Sequence, residues 1–119
     1  MKSLFILFSA LLLLTTSVEA KLVVIGKGDA TRFDVSSYPP KMQAAYTVMM
    51  AKCVKCHSQE RTAIAIETGV APITGGIFDH SATRAYGIKM LRKPDSNMSK
   101  DDVKVVVELM NYMLDEVDR

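Results

Sequence analysis

The sequence predicts an all-α domain. Three stretches carry apolar residues at helical spacing, prolines and glycines punctuate the gaps between them, and a serine followed by two aspartates heads the longest stretch. No internal repeat and no low-complexity run interrupts this pattern.

Residues 1–20 read as a secretory signal. Lys2 supplies the charged start, Leu4 to Leu14 is an apolar run broken only by Ser9 and Ala10, and Val18-Glu19-Ala20 offers modest residues for cleavage before Lys21. A retained anchor is the alternative, but the run falls short of the roughly 20 apolar residues that span a bilayer. Residues 21–37 form an N-terminal arm, a short strand or irregular segment with Leu22 to Ile25 followed by Gly26 and Gly28. Those glycines belong to no phosphate loop, because neither nucleotide fingerprint is completed. The main domain is expected over 38–119.

Pro39-Pro40 suits the first turn of a helix that runs from Lys41 to about Lys52, with Met42, Ala45, Met49 and Cys53 on one face and Tyr46 and Met50 widening it. Arg61 to Thr68 holds one or two helical turns. Gly69 to Phe78, with Pro72, Gly75 and Gly76, reads as loop. Ser81 to Arg92 is helical again, on Ala82, Ala85, Tyr86 and Lys89-Met90, and Pro94-Asp95-Ser96-Asn97 stops it. Ser99 caps the last helix in a capping box with Asp102 in place of glutamate, and Met98 stands at the staple position. Val103, Val106, Val107, Met110, Met113, Leu114 and Val117 then form an apolar stripe.

Fifteen basic and thirteen acidic residues leave a net charge of +2, and their interleaving argues against a nucleic-acid surface. Two cysteines in an exported chain would ordinarily suggest a disulfide. Here they form Cys53-Val54-Lys55-Cys56-His57, the haem-attachment pattern. Thiols three residues apart on a helical turn project from one side and can add to the two vinyl groups of one haem, which carries His57 beneath the ring as an iron ligand. A thiol-disulfide oxidoreductase also uses Cys-x-x-Cys, with a strand before it and a helix starting at it. This sequence runs a helix into the motif instead. A zinc site wants four ligands, and the only histidines are His57 and His80.

From Pro39 to Val117 the chain resembles a class I-type monohaem cytochrome c. In that family a helix leading into the haem motif crosses a C-terminal helix near a small residue and aromatics. Ala45 and Met49 stand where the family usually has glycine and an aromatic, while Tyr112 matches the aromatic of the last helix. The resemblance implies covalent haem c at Cys53 and Cys56 and a carbonyl near Pro72 that accepts the free ring N–H of His57. It also implies a methionine as sixth ligand. Met90, nine residues before the Ser99 cap, is the first candidate, Met98 the second and His80 the third; Met90 as a plain core residue stays open. The other methionines of the mature chain (Met42, Met49, Met50, Met110 and Met113) are more simply core.

The function so implied is single-electron transfer between redox proteins by a periplasmic, monomeric, non-enzymatic carrier that does not span the membrane. A haem sensor with a labile sixth ligand is the alternative, and a haemless thiol-disulfide protein is a third reading. Lys52, just before the motif, and Lys55, within it, can steer an acidic partner.

Overall fold

A computed structural model describes residues 21–117, so the expected signal segment lies outside the described residues. Two short strands, β1 (Val24–Ile25) and β2 (Arg32–Phe33), precede four helices: α1 (Pro40–Lys52), α2 (Glu60–Thr68), α3 (His80–Leu91) and α4 (Lys100–Val117). The fold is thus mostly helical, as the sequence predicts. No helix among the described residues is long and apolar enough to cross a membrane.

The arm is an antiparallel hairpin, with Val24 paired to Phe33 and Ile25 to Arg32. Gly26 makes its turn possible: φ is +78°, and a Cβ there would lie 2.4 Å from the Ala30 carbonyl oxygen. The hairpin is fastened to α1, since the Phe33 N–H donates to the Tyr46 hydroxyl at 2.9 Å and the two rings meet edge to face at 6.2 Å.

Each helix has local reasons for its ends. Pro40 opens α1, where a missing N–H costs nothing. Gly69, left-handed at φ +70°, closes α2 and donates its N–H to Ala65. Asp79 caps α3 by accepting from the Ala82 N–H at 2.9 Å. At α4 both halves of the capping box form: the Ser99 N–H donates to Asp102 Oδ2 at 2.7 Å, and the Asp102 N–H donates to Ser99 Oγ at 3.0 Å.

The other three helices all pack against α4. Its buried face runs through Val103, Val106, Leu109, Met110, Met113 and Leu114, with Leu109 and Met113 wholly out of solvent. Burial of such side chains contributes about 1.5–3 kcal/mol each before chain entropy is set against it. Several details differ from the sequence pattern. Met50 and Val117, expected on buried faces, are 37% and 36% exposed, while Leu109 and Glu116 are buried. Tyr112 packs edge to face with Tyr38, just ahead of α1, at 4.9 Å between centroids. On α3 the fully buried positions are Thr83 and Gly87, and Ala85 and Lys89 face out. Hydropathy hides this contact, because Thr83 satisfies its hydroxyl by donating to Asn111 Oδ1 at 2.6 Å and Gly87 serves by having no side chain.

Candidate functional site

Where α1 ends, Cys53 is its C-terminal cap, donating its N–H to Met49, and a single 3₁₀ turn, Cys53–Lys55, leads on to Cys56 and His57. The motif therefore sits at the end of a helix and not at the start of one. Both thiols are free; Cys53 is partly buried and Cys56 exposed. Burial pushes the Cys53 thiol up, and the Asp102 carboxylate and Cys56 push it the same way. A thiol-disulfide nucleophile needs the reverse, a thiolate favoured by a helix N-terminus or a nearby cation.

His57 Nδ1 lies 2.9 Å from the Ser58 carbonyl oxygen. A carbonyl only accepts, so Nδ1 carries the proton and Nε2 keeps its lone pair for a metal. The expected acceptor near Pro72 is not the one used: the carbonyl is that of Ser58, the next residue in the chain. Pro72 is exposed in the 69–78 loop, which is held by the Ala71 N–H on Gly76 and the Phe78 N–H on Gly69, each at 2.8 Å.

These residues border one cavity of about 450 Å³, within the roughly 300–1,000 Å³ range of small-molecule and cofactor sites. Cys53, Cys56, His57 and Pro72 line it, and so do Met90, from the last turn of α3, and Met98, just before the Ser99 cap. Both methionines are half-buried. The walls are otherwise largely apolar, with Met49, Ala65, Phe78, Val106 and Met110 among them, so two methionines assigned to the core from sequence also face this space.

His80 does not share the site. It opens α3, lies outside the cavity lining, and its Nε2 is paired with Asp115 Oδ1 at 2.9 Å. The third candidate for an axial ligand is therefore occupied elsewhere. Among the described residues no three of His, Cys, Asp and Glu gather as a metal-binding group.

Several wall residues were not apparent as such in the sequence. Tyr86 lines the cavity with its ring 5.6 Å from Phe78 and its hydroxyl 3.0 Å from Thr74 Oγ1. The Tyr86–Met90 spacing of four residues was the available signal, since it places both on one face of α3. Lys52 Nζ donates to the Asn97 carbonyl at 2.8 Å and so ties the end of α1 to the segment that carries Met98. No family model, curated protein or solved structure matches the chain.

Proposed function

We propose that the protein is a monohaem c-type cytochrome that carries single electrons, with haem c bound in the cavity beside α1. The observation that carries this reading is the convergence of the whole Cys53-Val54-Lys55-Cys56-His57 motif's chemistry on one apolar cavity that two methionines also line. The residues fit the group. Two free thiols, three positions apart, stand ready for thioether bonds, and His57 offers Nε2 while Ser58 holds the ring's other nitrogen. Met90 offers a thioether from α3, with Met98 as the alternative. Bound there, haem supplies reversible one-electron exchange at its iron.

The chain's own residues do the rest. With haem bound, His57 and one of the two cavity methionines would hold its iron, a ligand pair that suits a carrier over an enzyme. Thioether ligation favours a higher reduction potential than nitrogen ligation does. Apolar residues of α1, α2 and α4 (Met49, Ala65, Val106 and Met110) would pack against the bound ring. Lys55, exposed within the motif, is placed to steer an acidic redox protein. Export through the 1–20 segment accords with the chemistry, since covalent attachment retains a cofactor that would otherwise be lost outside the cytoplasm.

An absorption spectrum of the purified chain tests the reading. A low-spin spectrum with a weak sulfur-to-iron band in the oxidised form is expected. High-spin bands would indicate an open sixth position and a ligand-binding role, and the lack of any Soret band would overturn the proposal.

A further inference from the structure

The chain between α3 and α4 forms part of the cavity wall. Lys93, Pro94, Ser96 and Met98 line the cavity there, and Met90 lines it from the last turn of α3. Local hydrogen bonds shape this segment: the Lys93 N–H donates to the Met90 carbonyl at 3.1 Å, the Ser96 N–H to the Lys93 carbonyl at 3.3 Å, and Ser96 Oγ to the Leu91 carbonyl at 3.2 Å. Asp95 and Asn97 both take left-handed backbone, at φ +61° and +51°, a region these residue types tolerate better than most but do not favour. The 2.8 Å bond from Lys52 Nζ to the Asn97 carbonyl is of another kind, because it spans 45 residues and joins the segment to the end of α1.

Lys52 stands where a tether would be rooted firmly. It is the last residue of α1, adjacent to Cys53, half-buried, and a cavity-lining residue itself. Asp102, in the first turn of α4, is close enough to feel it: the Ser99 N–H chiefly holds that carboxyl down, and the Lys52 charge lowers it further. The ammonium therefore sits where the end of α1, the 93–98 segment and the start of α4 come together. A charged donor makes a stronger hydrogen bond to a carbonyl than a neutral one does.

We infer that Lys52 is a positioning residue that latches the 93–98 segment over the cavity and so controls how readily an outside ligand reaches the bound group's iron. This rests on the haem reading, in which Met90 or Met98 holds the iron. These two methionines bracket the segment, so displacing either one moves the chain between them. The latch ties the wall that carries the methionines to the wall that carries the cysteines. Lys55 bears the same charge but lies outside the cavity lining, which makes it the matched control.

Stopped-flow mixing of the oxidised, haem-bearing protein with neutral imidazole reads the rate at which the sixth position opens. Hydrogen exchange at the Lys93, Ser96 and Ser99 amides reads the opening of the segment itself. Lys52→Met should raise both rates about threefold to tenfold, the loss of one hydrogen bond. Lys52→Arg should restore most of the unsubstituted behaviour, since its guanidinium also donates, and Lys55→Met should leave both rates unchanged. In the unsubstituted protein Lys52 should be acetylated at least about threefold more slowly than Lys55, which tests the bond without any variant having to fold. Equal imidazole rates in Lys52→Met and Lys55→Met overturn the inference. So does faster exchange with an unmoved imidazole rate, which leaves Lys52 a surface stabiliser and no latch. A chain with no Soret band overturns the haem reading, while exchange and acetylation still decide whether Lys52 holds the segment.

Discussion

Replacing Gly87 with alanine should destabilise the protein, although alanine is the better helix former. Gly87 is buried on α3 where that helix meets α4, and an added Cβ would sit 2.8 Å from Val107 Cγ2 and 2.9 Å from Val103 Cγ1. Carbon atoms rest at about 3.5–4.0 Å, so the methyl arrives roughly an ångström too close to two partners. Neither valine can swing aside, because a β-branched side chain in a helix holds one χ1 rotamer. Overpacking of this kind costs about 1–3 kcal/mol, against about 1 kcal/mol gained in helix propensity, leaving a net loss of up to about 2 kcal/mol. For a domain this size a loss of about 2 kcal/mol lowers the thermal midpoint by about 8–16 °C, and a smaller loss by proportionately less. Circular dichroism melts of Gly87→Ala measure it. Combination with Val103→Ala and Val107→Ala should recover part of the loss as a coupling of about 1 kcal/mol. A midpoint that stays or rises in the single variant, or strictly additive losses in the combination, would refute the close approach of α3 and α4.

Met90→Ala should abolish the sulfur-to-iron band, lower the reduction potential and open the iron to imidazole or azide, whereas Met98→Ala should cost at most about 2–5 kcal/mol and keep the band; the reverse pattern assigns the ligand to Met98. Ser99→Ala removes the α4 cap and should cost about 1 kcal/mol in denaturant melts. The Ser99 N–H holds the Asp102 carboxyl below its ordinary 3.8, so that contribution is present above the unfolded value and is lost as pH falls through the folded one; in Asp102→Asn the acid limb of the stability curve should flatten. Burial, with Tyr112, Glu116 and Asp34 adding to it, pushes the Tyr38 phenol from 10.0 to about 12. Tyr38 therefore favours the folded state fully below its unfolded value and loses that contribution as pH rises through about 12. Tyr38→Phe should remove that alkaline fall and cost little at neutral pH, because the buried hydroxyl has no hydrogen-bond partner among the described residues.

The parts of the site with strong local chemistry were legible in the sequence. Cys53, Cys56 and His57 are marked by spacing and the Ser99 cap by its own residue types, whereas Met90 and Met98, which line the same cavity, were singled out only by resemblance. The structure adds what local chemistry cannot encode. Thr83 and Gly87 form the α3 contact face without hydrophobicity, so a polarity pattern passes over them. Gln59, which no sequence pattern marks, is buried by the fold. Lys52 reads as a steering charge, yet its ammonium is hydrogen-bonded to the Asn97 carbonyl 45 residues on. The Pro72 expectation came from resemblance alone, and the nearer Ser58 carbonyl takes the ring proton of His57. Met50 and Val117 have the right periodicity but lie on helix edges that neighbours cover only in part.

Covalent attachment of haem to Cys53 and Cys56 is the central claim, and intact-mass measurement of the purified chain after acid-acetone extraction tests it most directly. The account predicts the mass of the polypeptide beginning at Lys21 plus one haem, unchanged by the extraction, with the added mass on the peptide that holds both cysteines. A chain of unmodified polypeptide mass, or one whose haem washes out into the acetone, would contradict it.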